Sequence, residues 1–289
     1  MTRFTCIWVP LATPFRDRAI DFPALQAYAR KLAGAGISGL VACGTTGEAA
    51  ALDEDEQLAV LDAVLEAVPN LPVAMGLCDN NLPSLLGRLR KIQQRPVAGL
   101  LVPPPYYIRP SQAGLIEFFR SIADASDAPL IIYNIPYRTG VAMELDTLRA
   151  IAEHPRVAAV KDCAGNLALT MQLIADGKLD VLAGDDQQIL STLCLGGAGA
   201  IAASAHLQPD LFARLPELVR AGRLEKARAI FYRLLPLIHV LFDEPNPGPL
   251  KAALAMLGAM RDELRAPMQP ASKALRERLA PQLRRLECV

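Results

Sequence analysis

A chain of 289 residues accommodates one large α/β domain or two smaller ones, and 52% hydrophobic against 21% charged residues supplies a sizeable core. Thirty basic residues balance thirty acidic ones, so no basic excess exists to neutralise phosphates, which argues against a nucleic-acid or polyanion binder. The six cysteines (Cys6, Cys43, Cys78, Cys163, Cys194, Cys288) form no C-x-x-C, most fall in or beside apolar strands, and His154, His206 and His239 form no ligand spacing with them.

The apolar stretch from Phe4 to Ala12 is short and interrupted by Pro10 and Pro14, so it reads as a first strand and not as a signal peptide or membrane anchor. The chain is expected to be soluble and cytoplasmic. Strand-like runs then follow at Thr5–Val9, Gly39–Ala42, Val73–Met75, Ala98–Val102, Leu130–Tyr133, Val157–Lys161, Val181–Ala183 and Ala200–Ala202. Between them lie amphipathic segments such as Phe22–Ala33, Asp53–Val68, Leu82–Gln94, Ser111–Ala125 and Glu144–Glu153. Eight strand-then-helix units at roughly 20–35-residue spacing predict a (β/α)8 TIM barrel over an open doubly wound sheet. From Leu207 onward the pattern is helical, at Pro209–Arg220, Leu224–Leu241, Pro249–Met260 and Ser272–Leu286. The expected division is a barrel over residues 1–222 and a C-terminal helical region over residues 223–289.

This assignment gathers polar residues at one end. Gly44-Thr-Thr-Gly-Glu48 follows the second strand, Pro103-Pro-Pro-Tyr-Tyr107 the fourth and Tyr133-Asn-Ile-Pro-Tyr-Arg-Thr-Gly140 the fifth; Lys161 ends the sixth and Gly184-Asp-Asp186 follows the seventh. Barrel active sites are built at this C-terminal face. Val157-Ala-Ala-Val160 reads as a strand buried on both faces, and a lysine at its end has an ammonium that is hard to hydrate. Burial lowers a lysine pKa from about 10.4, and a lysine near about 7–8 is a usable nucleophile for a carbonyl. The alternative is that Lys161 snorkels to a polar rim or pairs with Asp162.

Each further candidate also has two readings. Gly44-Thr-Thr-Gly47 is either a backbone nest for a carboxylate or an ordinary tight turn. Tyr107 and Tyr133 either relay protons beside Lys161 or pack as aromatics. Arg138 is either a fork for a second carboxylate or a solvated loop charge. Gly197-Ala-Gly199 imitates a dinucleotide fingerprint but precedes a strand instead of following one, which rules that reading out. Asp185 and Asp186 have no matching cluster for a metal and are better explained by capping or loop hydrogen bonding.

With these motifs in place, the chain resembles the dihydrodipicolinate synthase family of pyruvate-dependent class I aldolases. Gly44-Thr-Thr-Gly-Glu48, Pro105-Tyr-Tyr107, Tyr133-Asn-Ile-Pro136, Val160-Lys161, Gly184-Asp-Asp186 and Glu244-Pro-Asn-Pro247 carry the likeness. Arg138-Thr-Gly140 points towards the synthases, since the related neuraminate lyases lack that arginine. The resemblance implies that Lys161 forms a Schiff base with pyruvate, whose carboxylate rests on the N–H groups of Thr45 and Thr46. It implies Tyr133 as the acid/base group, linked through the Thr45 hydroxyl to a Tyr107 supplied by a neighbouring subunit. Arg138, Gly184 and Ile201 complete the implied substrate-binding set. The second substrate would be aspartate semialdehyde, the assembly a homotetramer built as a dimer of dimers, and no metal or organic cofactor would be required.

Several positions depart from the family pattern: Ile108 replaces a polar residue, Tyr137 a small one, Asp162-Cys163-Ala164 the common Glu-Ala-Thr, and His206 an asparagine. They leave open an aldolase or lyase acting on another 2-oxo acid, or an idle barrel kept for binding. The family's lysine-inhibition cleft falls near Ala49, Glu54, Gln57, Asn80, Ser84 and Tyr106. Ser84 stands where sensitive enzymes have a glutamate, a loss for which Glu54 could only partly substitute, so weak or absent inhibition by lysine is expected.

Overall fold

The predicted apolar runs are strands because they are buried on both faces, as strands of a parallel sheet covered by helices must be. Gly39–Ala42, Val73–Gly76, Gly99–Val102 and Leu130–Asn134 are buried along their whole length. The computed structural model describes residues 4–286, so Cys288 lies outside the described residues. Among these, eight strands follow the order of a closed barrel: β1 Cys6–Pro10, β2 Gly39–Ala42, β3 Val73–Gly76, β4 Gly99–Val102, β5 Leu130–Asn134, β6 Val157–Asp162, β7 Asp180–Ala183 and β8 Gly199–Ile201. Helices alternate with the strands, and further helices follow the last of them, which is the expected TIM-barrel class. None of the described helices is long and apolar enough to cross a membrane.

The chain divides into two compact units, one taking in residues through Cys6 with Pro72–Ile201, the other Ile7–Leu71 with residues from Ala202 onward. In the first, β5 and β6 pair in parallel with Tyr133 opposite Lys161 and Asn134 opposite Asp162, and β6 pairs with β7 with Lys161 opposite Leu182. Side chains alternate along a strand, so Tyr133 and Lys161 share one face while Asn134 and Asp162 share the other. Gly199 is explained here by close approach, because a β-carbon there would overlap the Cys6 carbonyl. In the second unit, β1 pairs with β2, and Gly39 is a glycine because a β-carbon would overlap the Trp8 ring opposite it.

Helix starts differ from the expected ones by a single residue for a clear reason. Asp53, Ser111 and Ser272 cap the helices Glu54–Ala67, Gln112–Ala125 and Lys273–Arg285 instead of beginning them. Asp53 and Glu56 form a reciprocal capping box, at 2.8 and 3.1 Å. The helix expected over Pro249–Met260 spans Gly248–Met256, and the chain turns at Gly258, whose φ of 68° suits glycine. Two small elements went unread. A two-stranded hairpin joins Phe15–Arg16 to Ala19–Ile20 through Asp17 and Arg18, both at positive φ, and Pro136–Thr139 forms one helical turn.

Candidate active site

In the first unit the site is organised by β5, β6 and β7. Lys161, 6% exposed, projects its ammonium over the Tyr133 ring, 4.2 Å from the centroid. Burial lowers its pKa most; Cys163 and Asp186 oppose that shift, and Arg138 adds to it. Gly184 is required by this packing, since a β-carbon would overlap Cys163 Sγ and lie 2.8 Å from Lys161 Cγ. The alternative pairing of Lys161 with Asp162 does not describe this strand end. The Asp162 carboxylate accepts from Asn134 Nδ2 at 3.1 Å, from Thr170 Oγ1 at 2.7 Å and from the Ala164 N–H at 3.1 Å. The Asn134–Asp162 bond ties the ends of β5 and β6 together on the strand face opposite Tyr133 and Lys161.

Arg138 lies exposed on the Pro136–Thr139 turn, its guanidinium 5.6 Å from the centroid of the Tyr137 ring. Tyr137 is 70% exposed, and its phenol pKa is raised, by burial first and by Cys163 second. The ring stands beside the Arg138 guanidinium, and the charges that act on its phenol are those of Cys163, Arg138 and Asp185. Tyr107, 88% exposed at φ 73°, is held by its own N–H donating to the Thr139 carbonyl at 3.1 Å. Ile201 ends β8, 1% exposed. Asp185 caps the turn that follows it, accepting from the Gln187 N–H at 3.1 Å. Asp186 is 1% exposed and acts on the Lys161 ammonium, a role its position in the sequence did not announce.

In the second unit Gly44–Glu48 is a closed turn. Gly47, Glu48 and Ala49 donate the bonds that close it, to Gly44, Thr45 and Gly44 carbonyls, so closure does not consume the N–H groups of Thr45 and Thr46. Thr13 Oγ1 donates to the Gly47 carbonyl at 2.8 Å, and Asn246 Nδ2 donates to Thr46 Oγ1 at 3.0 Å. Asn246 belongs to Glu244-Pro-Asn-Pro247, so that motif reaches the turn directly. Glu48 pairs with Lys251, a residue the sequence reading did not single out. His206, 1% exposed, accepts from the Ala12 N–H at 3.1 Å and hydrogen-bonds the Ala203 carbonyl at 2.8 Å.

With a buried lysine of lowered pKa beside a tyrosine, and a turn with N–H groups available to an anion, the parts of an imine-forming site are present. The profile of the Dihydrodipicolinate synthetase family matches residues 3–286. A protein named 4-hydroxy-tetrahydrodipicolinate synthase from Pelobacter propionicus is 38% identical over 274 residues, 94% of this chain and 94% of that one. One of the same name from Sorangium cellulosum is 40% identical over 283 residues, 96% and 94% of the two chains. The solved dihydrodipicolinate synthase from Thermotoga maritima matches with a TM-score of 0.97 at 30% identity, covering 100% of both chains.

Proposed function

We propose the function from one premise: the chain belongs to the dihydrodipicolinate synthetase family. It is a lyase of the aldolase type, a 4-hydroxy-tetrahydrodipicolinate synthase that condenses pyruvate with aspartate semialdehyde on the route to diaminopimelate and lysine. The observation that carries this reading is the buried Lys161 ammonium stacked on Tyr133 at the end of β6.

Neutral Lys161 attacks the ketone of pyruvate, and loss of water from the carbinolamine leaves an imine. Tyr133 passes protons to and from the carbinolamine oxygen. The residues assigned to pyruvate, as the family resemblance implies, are Thr45 and Thr46 through their N–H groups for its carboxylate, together with Gly184 and Ile201. A proton lost from the methyl carbon gives an enamine, which attacks the aldehyde carbon of the second substrate while Arg138 holds that substrate's carboxylate. The amino group of the condensed chain then displaces Lys161 and closes the ring. The imine is itself the electron sink, so the reaction calls for no metal or organic cofactor.

Tyr107 completes the proton relay through the Thr45 hydroxyl from a neighbouring subunit; its exposure in its own chain supports that assignment. The relay requires at least a dimer, and the resemblance implies a homotetramer of two such dimers. The described cysteines form no disulfide with one another, which supports a reducing, cytoplasmic location. The test is reduction with borohydride in the presence of pyruvate, followed by peptide mass mapping. Modification of Lys161, abolished in Lys161→Ala, is expected; an adduct elsewhere, or none on folded protein, overturns the mechanism. A screen of aldehyde acceptors then separates the synthase from an aldolase for another 2-oxo acid, which Tyr137 beside Arg138 keeps as the second reading.

A further inference from the structure

The turn that offers the Thr45 and Thr46 N–H groups ends on Glu48, a non-glycine residue at φ 55° whose side chain is 2% exposed. Its carboxylate is shared. One oxygen takes the ammonium of Lys251, which is 0% exposed, and the other accepts from the Arg265 backbone N–H at 3.1 Å. Lys251 in turn donates to the Glu263 carbonyl at 2.9 Å and lies 4.2 Å from the centroid of Phe15, which also carries the Arg265 guanidinium at 4.7 Å. Arg265 is fixed by Glu56 at 2.6 and 2.7 Å. Thus Thr46, Gly47 and Glu48 are each gripped by a side chain distant in sequence: Asn246, Thr13 and Lys251.

A buried ion pair is a poor device for stability alone, because an apolar pair of similar volume serves about as well. What it supplies is a fixed geometry, and a left-handed residue persists only when its surroundings determine it. A carboxylate nest works when its N–H groups are already aimed before the ligand arrives. We infer that Lys251, acting through Glu48, is a positioning residue that presets the Thr45–Thr46 nest for the pyruvate carboxylate. This rests on the pyruvate reading given above.

The test uses the full chain and the variants Lys251→Met and Glu48→Gln, each checked for folding by circular dichroism. The pyruvate concentration that half-saturates borohydride trapping, and the KM for pyruvate, are expected to rise about 10- to 100-fold, as small misplacements of a binding group do. Saturating pyruvate should still label Lys161, and the KM for aspartate semialdehyde should stay within about twofold, separating pyruvate binding from general damage. A folded variant with unchanged pyruvate KM, or with equal losses towards both substrates, overturns the inference. Where the single variants do not fold, the double variant Glu48→Gln/Lys251→Met, which buries no lone charge, is judged by the same rule. Failure of all three to fold makes the pair purely structural and equally overturns it. Absence of any adduct on the unaltered protein would instead remove the pyruvate reading, and this inference with it.

Discussion

The Lys161 ammonium lies over the face of Tyr133, 4.2 Å from the ring centroid, and the two residues sit opposite each other in the β5–β6 ladder. One strand pairing therefore sets both the proposed nucleophile and its proposed acid/base partner. Tyr133→Phe keeps the ring beneath the ammonium and removes only the hydroxyl. The adduct should still map to Lys161, while turnover falls about 10²- to 10⁴-fold, the usual contribution of a general acid–base group. Turnover equal to that of the unaltered enzyme would remove Tyr133 from the proton path.

Reductive trapping should also have a legible pH dependence. Burial lowers the Lys161 pKa, Cys163 and Asp186 raise it, and Arg138 lowers it. A lowered pKa means that the neutral amine appears at lower pH than for a free lysine, near about 10.4. The initial rate of trapping with cyanoborohydride should therefore rise through a midpoint below that value. Asp186→Asn removes a charge that favours the ammonium and should move the midpoint down; Arg138→Ala removes a repulsive charge and should move it up. A midpoint at the free-lysine value, or shifts of opposite sign, would contradict the electrostatic account.

Arg138→Ala should damage use of the second substrate far more than binding of pyruvate. Leaving a bound carboxylate without its charged partner costs about 2–5 kcal/mol. The comparison is KM and turnover for aspartate semialdehyde against pyruvate half-saturation in trapping. Equal losses in both would make Arg138 a structural residue of the Pro136–Thr139 turn.

The barrel was legible because its strands are short apolar runs buried on both faces, and because the polar motifs recur at the same end of successive units. Lys161 was legible for the same reason, as a charge closing an apolar strand. Contacts between distant residues were not. Nothing near Lys251 in the sequence announces that its ammonium meets Glu48, because the pairing is made by the fold and not by spacing. By sequence Asp186 reads as a capping residue like Asp185, and only the fold separates the one that caps from the one whose charge acts on Lys161. The hairpin at Phe15–Arg16 and Ala19–Ile20 is too short to show a period.

Inhibition by lysine should be weak or absent. At the positions where the resemblance puts the family's lysine-binding residues, Gln57 Nε2 is committed to the Ala49 and Leu52 carbonyls at 3.0 and 3.1 Å. Ser84, in place of a glutamate, donates to Asp79 at 3.0 Å, and Asn80 accepts from the Tyr106 N–H at 2.9 Å. The missing glutamate removes a charge-assisted contact worth about 1.5–3 kcal/mol, or about 10- to 150-fold in affinity. Steady-state assays across sub-millimolar to millimolar lysine check this, and strong sub-millimolar inhibition would refute it.

His206 gives the fold a dependence on acid. Its ring is stacked on Tyr28 at 5.8 Å, accepts from the Ala12 N–H, and hydrogen-bonds the Ala203 carbonyl, an arrangement that requires the neutral tautomer with Nδ1 protonated. Burial lowers its pKa from 6.5 to about 4, against the opposing hydrogen bond to Ala203. In the unfolded chain the same ring takes up a proton near about 6.5. Between these values the unfolded state binds more protons than the folded one, so stability rises with pH across that window. The contribution is present above the unfolded pKa and is lost as pH falls through the folded one. Between about pH 7.5 and about pH 4.5 the loss amounts to roughly 2–3 kcal/mol. Asparagine, the family's usual residue here, can accept from Ala12 and donate to Ala203 without titrating. Urea unfolding of His206→Asn should therefore show a pH dependence flatter by about that amount, with the unaltered chain measured alongside. Equal slopes in the two proteins would show that the His206 ring is not what acid attacks.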